Sequence, residues 1–159
     1  VEVGMVTPPP RIAALLDVPE GGQVLRRQRL ARWDHEAAEI VTWWIPAHLA
    51  EGTDLPQQEP LRGGVRAHLA HRTGRRIDHV IEQVTARHPD PAEAKLLGIT
   101  KSAPVLAVYV TAREASGIPV LGAGHCDAGG PPGAGRCLPG ELATSAPRHV
   151  SSDDFRLIA

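Results

Sequence analysis

The hydrophobic positions of residues 1–46 change from a helical to an alternating pattern. Ile12, Leu15 and Leu16 recur at the spacing of one helix face, beside prolines that suit a first helical turn. Beyond the break at PEGGQ, two runs of strand-favouring residues are separated by only DHE, which indicates a hairpin. We therefore predict one helix and two paired strands, in TPPPRIAALLDV, VLRRQRLARW and AAEIVTWWIP, the last ended by Pro46.

The chain then returns to helical spacing before it alternates again. A second helix is predicted for residues 60–74, with Val65 and Leu69 turned inward and Gly74 as its stop. Four further elements follow as a strand, a helix and two strands, in residues 75–88, 90–99, 104–114 and the segment after ASG. The stretch DHVIEQV inside the first of these would also suit a helix.

Two segments of the chain resemble each other. LLDVPEGGQVL and LLGITKSAPVL, residues 15–25 and 96–106, match at a constant offset of 81. Each predicts a helix end, a small turn and a strand, and each is followed by a second strand. One repeat does not make a solenoid, which needs at least about three units. The similarity instead predicts two helix–hairpin halves within one sheet.

This order of elements indicates the α+β class, in which a largely antiparallel sheet carries short helices on its faces. The chain has 159 residues and 42% hydrophobic content, enough for one domain with a core. Its formal net charge of -1 argues against a dedicated nucleic-acid surface. There is no apolar run of roughly 20 residues, no visible signal peptide and no disulfide framework, so we expect no membrane contact and a cytoplasmic location.

Sequence motifs for catalysis are missing. We find no nucleophile elbow, phosphate loop, dinucleotide fingerprint or HExxH zinc motif, and therefore predict no catalytic residue and no cofactor. His68 and His71 share one face of the predicted helix and could hold a metal. Because a metal site needs three or four ligands, we favour two solvated histidines.

The first hairpin carries an unusual concentration of arginine. Strand alternation places Arg27 and Arg29 on one face, and Arg26 and Gln28 on the other. An anionic ligand would justify arginines on a sheet face, because guanidinium pairs with carboxylate or phosphate through two hydrogen bonds. A solvent-facing surface with cross-strand partners such as Glu39 is the other interpretation, and the pattern alone leaves both open.

The partner strand carries two adjacent tryptophans. Trp43 and Trp44 must point to opposite faces of a sheet, because successive side chains alternate. One of them is expected in the core, while the other could form the wall of a ligand pocket.

Taken together, these segments resemble the effector-binding (UTRA) domain of HutC-type GntR transcription regulators. The resemblance covers residues 7–121 and rests on the LL-turn-VL segments, the R-L pair in the first strand, and A-x-LLGI before APVL. It implies a chorismate-lyase-like α+β fold, with a mainly antiparallel sheet and short flanking helices. It also implies a small-molecule effector and, in complete regulators, an N-terminal winged helix-turn-helix and a homodimer.

The resemblance also implies which residues form the effector site, and each is assigned by its own position in the family pattern. An effector-binding arginine of the family corresponds to Arg29, whereas the next family arginine corresponds to Ala31. An acidic residue of the second strand corresponds to Val41, and a serine at the start of the middle helix corresponds to Gly64. The aromatic residue before the strand-ending proline is kept as Trp44.

These departures change the effector that we expect. One arginine, Arg29, remains as an anchor for an anionic or polar group, while several polar partners are lost. With Val41 at the acidic position and Trp43 beside Trp44, a more apolar effector fits better than a phosphosugar.

Both ends of the chain depart from the family pattern. The chain begins at VEVGMVTPPP, so we expect operator DNA to be reached only through a winged helix that is missing here. Residues 1–124 are predicted to form the effector domain, and residues 125–159 an atypical, weakly ordered tail. Its Gly-, Ala- and Pro-rich composition is typical of GC-rich DNA translated in a wrong frame. The chain is then a fragment, a truncated product or a stand-alone module.

Two other functions were weighed against an effector domain. A chorismate-lyase-like enzyme would need several anion-binding groups and a general acid, and only Arg29 is a good candidate. A metal module could use His125, Cys126, Asp127 and Cys137, but the paired Cys-x-x-Cys spacing is absent. We therefore predict neither an enzyme nor a metal site.

Overall fold

The structure is a computed structural model of the chain, and it describes residues 2–33, 35–61 and 63–128. This part of the chain forms six strands and four helices. In order they are β1 (Glu2–Val6), α1 (Pro10–Leu15), β2 (Val24–Trp33), β3 (Glu36–Pro46), α2 (Ala47–Ala50), α3 (Gly64–Thr73), β4 (His79–Arg87), α4 (Pro91–Leu97), β5 (Val105–Arg113) and β6 (Pro119–Asp127). The predicted α+β class is confirmed.

All six strands form one sheet in the order β1-β2-β3-β6-β5-β4, with every neighbouring pair antiparallel. The sheet therefore has two similar halves, β1-α1-β2-β3 and β4-α4-β5-β6, which meet where β3 pairs with β6. This arrangement confirms the two helix–hairpin halves that the internal similarity predicts. Helices α2 and α3 lie between the halves in sequence.

The helix ends follow local chemistry. The side chain of Asp90 accepts a hydrogen bond from the Glu93 backbone, and the Glu93 side chain accepts one from the Asp90 backbone, which together cap α4. Gly98 ends the same helix in the left-handed conformation at a φ of 69°. Gly74 ends α3 in the same way, as predicted, although α3 begins four residues later than the expected 60–74.

Hydrophobic side chains pack on both faces of the sheet. On one face, which we call the α3 face, α2 and α3 cover a core that includes Leu25, Ile45, Leu69 and Leu121. On the opposite face, the α1/α4 face, smaller clusters surround α1 and α4, and include Ile12, Leu16, Val24, Ile40, Leu97 and Val105. Fully burying one such side chain stabilises the fold by about 1.5–3 kcal/mol. The sheet is thus covered by helices on each side.

Strand β6 lies at the centre of the sheet and pairs with both β3 and β5. It continues to Asp127, so the expected domain boundary at residue 124 falls inside a paired strand. Most of its residues are buried, and small residues such as Gly122 and Gly124 leave room for side chains from other elements. The predictions for residues 129–159 lie outside the described residues.

Candidate ligand-binding cleft

A shallow cleft, partly open to solvent, lies on the α3 face of the sheet. It lies between α3 and strands β3 to β6, and eight residues line it: Trp43, Arg66, Val80, Val110, Ala112, Leu121, Ala123 and His125. Six of them have hydrocarbon or indole side chains, while Arg66 and His125 supply charge and hydrogen bonds. A concave, mostly apolar surface with few polar groups is the usual form of a small-molecule site.

Strand register explains why these residues meet. Trp43 lies opposite Ala123, which in turn lies opposite Val110, so the three form one row across β3, β6 and β5. Leu121 and Ala112 form the next row in the same way. Since side chains two positions apart share a face, both rows point to the α3 side.

A hydrogen-bonded pair of side chains, His125 and Glu39, lies at one end of the cleft. His125 Nδ1 lies 2.7 Å from Glu39 Oε1, and both side chains are largely buried, at 16% and 11% exposed. With Nδ1 donating to the carboxylate, the second ring nitrogen is left for another partner. The imidazole also meets the Trp43 ring edge-on, at 6.4 Å between centroids and 76° between planes. Glu39 and Trp43 together fix the orientation of His125.

Arg66 supplies the positive charge of the cleft. It follows Val65 in the first turn of α3, and buried Val65 and Leu69 hold that helix on the sheet. Desolvation by burial lowers the pKa of the Arg66 guanidinium. The charged group is therefore less well solvated than in water.

The two arginines predicted to share a face have different roles. Arg27 is 5% exposed and donates hydrogen bonds to the backbone carbonyls of Leu55, Gln57 and Glu59. Its donors thus hold the loop before α3, and desolvation by burial lowers its pKa. Arg29 lies on the same face two residues further along and is exposed. Of the two, only Arg29 is open to solvent, and it does not line the cleft.

The remaining predicted site residues lie in different places. Val41 is buried on the α3 face, in register with Arg29 on one side and His125 on the other. Trp44 points to the α1/α4 face and packs with the α1 cluster. Gly64 is the exposed first residue of α3 and does not line the cleft. The structure thus brings Val41 and Trp43 to this region and places Trp44 away from it.

Sequence reasoning missed both polar residues of the cleft, Arg66 and His125. His125 was weighed only as a metal ligand in an atypical tail, yet it belongs to the central strand β6. The position of Arg66 could have been predicted, because it follows the inward-facing Val65 on a helix that must pack on the sheet. No pattern in the sequence pairs Glu39 with His125, because the two are 86 residues apart.

The histidines of α3 show no metal-site geometry. His68 Nε2 lies 3.9 Å from Asp54 Oδ2, and His71 is exposed. Within residues 2–33, 35–61 and 63–128, no group of three His, Cys, Asp or Glu residues is placed to hold a metal ion. The Cys137 part of the tail hypothesis lies outside the described residues. In the same part of the chain, no helix has the length and apolar character needed to cross a membrane.

The domain is thus an antiparallel sheet between short helices, with an apolar cleft on one face. The sequence profile of the UTRA domain matches residues 1–122, and the chain belongs to this family. It is therefore an effector-binding domain of the kind found in transcription regulators.

Known proteins similar to the chain agree with this assignment. An uncharacterized HTH-type transcriptional regulator of Streptomyces coelicolor is 31% identical over 109 residues, or 67% of the chain. The chain spans only 40% of that relative. A GntR-family regulator from Bacillus cereus has the same fold at a TM-score of 0.72 and 16% identity, over 92% of this chain and 95% of that one. The effector domain of PhnF from Mycobacterium smegmatis matches at 0.66 and 19% identity, over 80% and 76%.

Proposed function

We propose that the cleft on the α3 face binds the effector and that its occupancy is passed to a DNA-binding segment of the regulator. The observation that carries the proposal is the cleft itself, whose apolar walls surround the two polar groups Arg66 and His125. Operator binding would then depend on a winged helix-turn-helix, as the curated relative is an HTH-type regulator.

Each residue of the region has a role in this proposal. Trp43 forms a wall of the cleft, and Val41 supports its floor beside His125. Arg66 and His125 contact the polar part of the effector. Arg29 lies at the outer end of the same face, where its charge attracts an anionic effector before it enters.

A path for the signal runs through Arg27. This side chain ties the loop of residues 55–59, which precedes α3, to strand β2. Arg27 also lies opposite Val3 of β1, the strand to which an N-terminal DNA-binding segment would connect. An effector that moves α3 against the sheet would therefore act on β1 through one buried guanidinium. Such a switch would require α3 to have two discrete positions against the sheet.

Membership of the HutC subfamily, a homodimer and a cytoplasmic location complete the proposal. A homodimer would let one effector-driven change act on both DNA-binding heads at once. Light scattering of the purified chain checks this part, since a monomeric mass at micromolar concentration would contradict it.

A substitution that fills the cleft tests whether it is the effector site. Val110 lines the cleft and is partly exposed, so Val110→Phe should fill it. Val84 is 59% exposed on β4, points to the same face and does not line the cleft, which makes Val84→Phe the matched control. Thermal-shift measurements with a panel of carboxylates, phosphosugars and amino acids should identify a compound that stabilises wild type and Val84→Phe but not Val110→Phe. Equal stabilisation of Val110→Phe would rule out this cleft as the site.

A further inference from the structure

We propose that the effector carries an N–H or O–H group that donates a hydrogen bond to His125 Nε2, and that Glu39 is the positioning residue that makes this nitrogen an acceptor. This inference rests on the proposed function of the cleft and adds the group by which the cleft recognises its ligand. Two features carry it: the hydrogen-bonding groups of the lining side chains and the contact between Glu39 and His125.

Among the eight described residues that line the cleft, one side chain can accept a hydrogen bond. Trp43 and Arg66 can only donate, whereas an imidazole nitrogen of His125 accepts when it carries no proton. The other five side chains are hydrocarbons: Val80, Val110, Ala112, Leu121 and Ala123. An effector that buries an N–H or O–H group here therefore has His125 as its side-chain partner, and a buried donor without a partner would weaken binding.

Glu39 decides which nitrogen of His125 is the acceptor. Glu39 Oε1 lies 2.7 Å from Nδ1, and an ionised carboxylate can only accept, so the proton of the neutral ring lies on Nδ1. Nε2 then carries no proton, and the described residues give it no hydrogen-bond partner. Both side chains are largely buried, and the Trp43 ring meets the imidazole edge-on, which restricts its rotation. The pair thus presents an acceptor in a fixed direction.

Protonation of His125 would remove this acceptor, because both nitrogens of the charged ring donate. The strands and α3 bring other charged side chains to the same face: Glu39, Asp127, Glu82, Arg27, Arg29 and Arg66. The carboxylates favour a charged ring, while the guanidinium groups and burial oppose it. Histidine ordinarily changes charge between about pH 5 and 8, so a ligand that donates to Nε2 should bind less tightly as the pH falls through this range.

Nuclear magnetic resonance of protein with isotope-labelled histidine tests the positioning role without a ligand. At pH 8 His125 should carry its proton on Nδ1, which is the minor form of histidine in water, and Glu39→Met should move the proton to Nε2. Glu39→Gln keeps a carbonyl acceptor and should restore the Nδ1 form, which a merely structural role would not explain. Glu82→Met changes an exposed carboxylate on the same face and, as the matched control, should leave the ring unchanged. A proton on Nε2 in wild type would overturn the proposal.

Indole and benzofuran test the recognition itself. The two fused rings have nearly the same shape, but only indole has an N–H group. Calorimetry at pH 8 should show that wild type binds indole about threefold or more tightly than benzofuran, and this preference should disappear as the pH is lowered to about 5.

His125→Phe assigns the preference to one residue. It keeps an aromatic ring beside Trp43, removes both nitrogens and should make indole and benzofuran bind equally at pH 8. His71→Phe is the matched control, because His71 is exposed on α3 and does not line the cleft. That variant should keep the preference for indole. The pH profile needs wild type alone, so it decides the question where His125→Phe fails to fold.

The remaining outcomes separate this inference from the proposed function. Equal binding of the two probes by wild type at pH 8, abolished by Val110→Phe, would overturn the acceptor role of His125 and leave the cleft as the effector site. Indole binding that Val110→Phe does not change would overturn the cleft itself. No binding of indole by wild type at millimolar concentration would also overturn the acceptor role.

Discussion

The ring of Trp44 packs directly over Gly124, across the pair of central strands. A β-carbon on Gly124 would lie 2.7 Å from both Cζ3 and Cη2 of Trp44, closer than real side chains approach. Gly124 adopts no left-handed conformation, so contact rather than backbone strain excludes a side chain here. The glycine thereby lets Trp44 join the cluster formed by α1.

Gly124→Ala should destabilise the domain by about 1–3 kcal/mol, because the new methyl group must displace a rigid indole from a packed layer. Urea denaturation followed by circular dichroism measures this change. Gly4→Ala is the control, since a β-carbon on Gly4 in strand β1 meets nothing within 4 Å. Equal stabilities of the two variants would contradict the close contact.

Arg27→Met should destabilise the domain by about 3 kcal/mol, since the carbonyls of Leu55, Gln57 and Glu59 lose a charged donor. Met fills much of the same volume, so the loss reports hydrogen bonds more than packing. Arg29→Met, two residues along the same face, changes an exposed side chain and should cost less than about 0.5 kcal/mol. Similar unfolding midpoints for the two variants would show that Arg27 does not hold the loop.

Strong local patterns made much of the fold predictable. Both hairpins, the inward residues Val65 and Leu69, and the ends of α4 follow from alternation, helical spacing and capping residues. Strand β1 and helix α2 were not predicted. The four residues Ala47–Ala50 are too few to show a period, and β1 depends on its pairing with β2.

The candidate site was predictable only in part. Alternation alone places Trp43 and Trp44 on opposite faces, but it does not say which face carries the cleft. That choice depends on where α3 lies, which is a tertiary property. The same limit applies to His125, because its partner Glu39 lies on a strand that only the sheet order brings next to β6.

The pair of Glu93 and Arg87 should make stability depend on pH. Two hydrogen bonds of 2.6 and 2.7 Å join them, and those from Arg87 lower the pKa of Glu93 below its ordinary value of 4.5. A lowered pKa means that the folded state favours the ionised form. The contribution is therefore fully present above about pH 4.5 and is lost as the pH falls through the lower value in the folded state.

Glu93→Gln should accordingly destabilise the domain at pH 7 and lose this effect as the pH falls toward 3. Urea midpoints of wild type and variant across this range measure the difference, which should shrink steadily. Glu82→Gln serves as the control, because it changes an exposed carboxylate on β4. The gap between its urea midpoint and that of wild type should not shrink in the same way. A constant gap between wild type and Glu93→Gln would mean that capping of α4, and not the charge of Glu93, is what the variant removes.

Cys126 should be an unreactive thiol in the folded domain. It is 5% exposed, and burial, followed by the nearby charge of Glu93, raises its pKa to about 12. Because the thiolate is the nucleophile, almost none of the reactive form is present at pH 8. Since the chain contains two cysteines, the test uses Cys137→Ser, in which Cys126 is the remaining thiol. Iodoacetamide should leave this variant unlabelled in buffer and label it fully in denaturing urea, and mass spectrometry measures both. Rapid labelling of the folded variant would contradict the closed packing of β6 against α4.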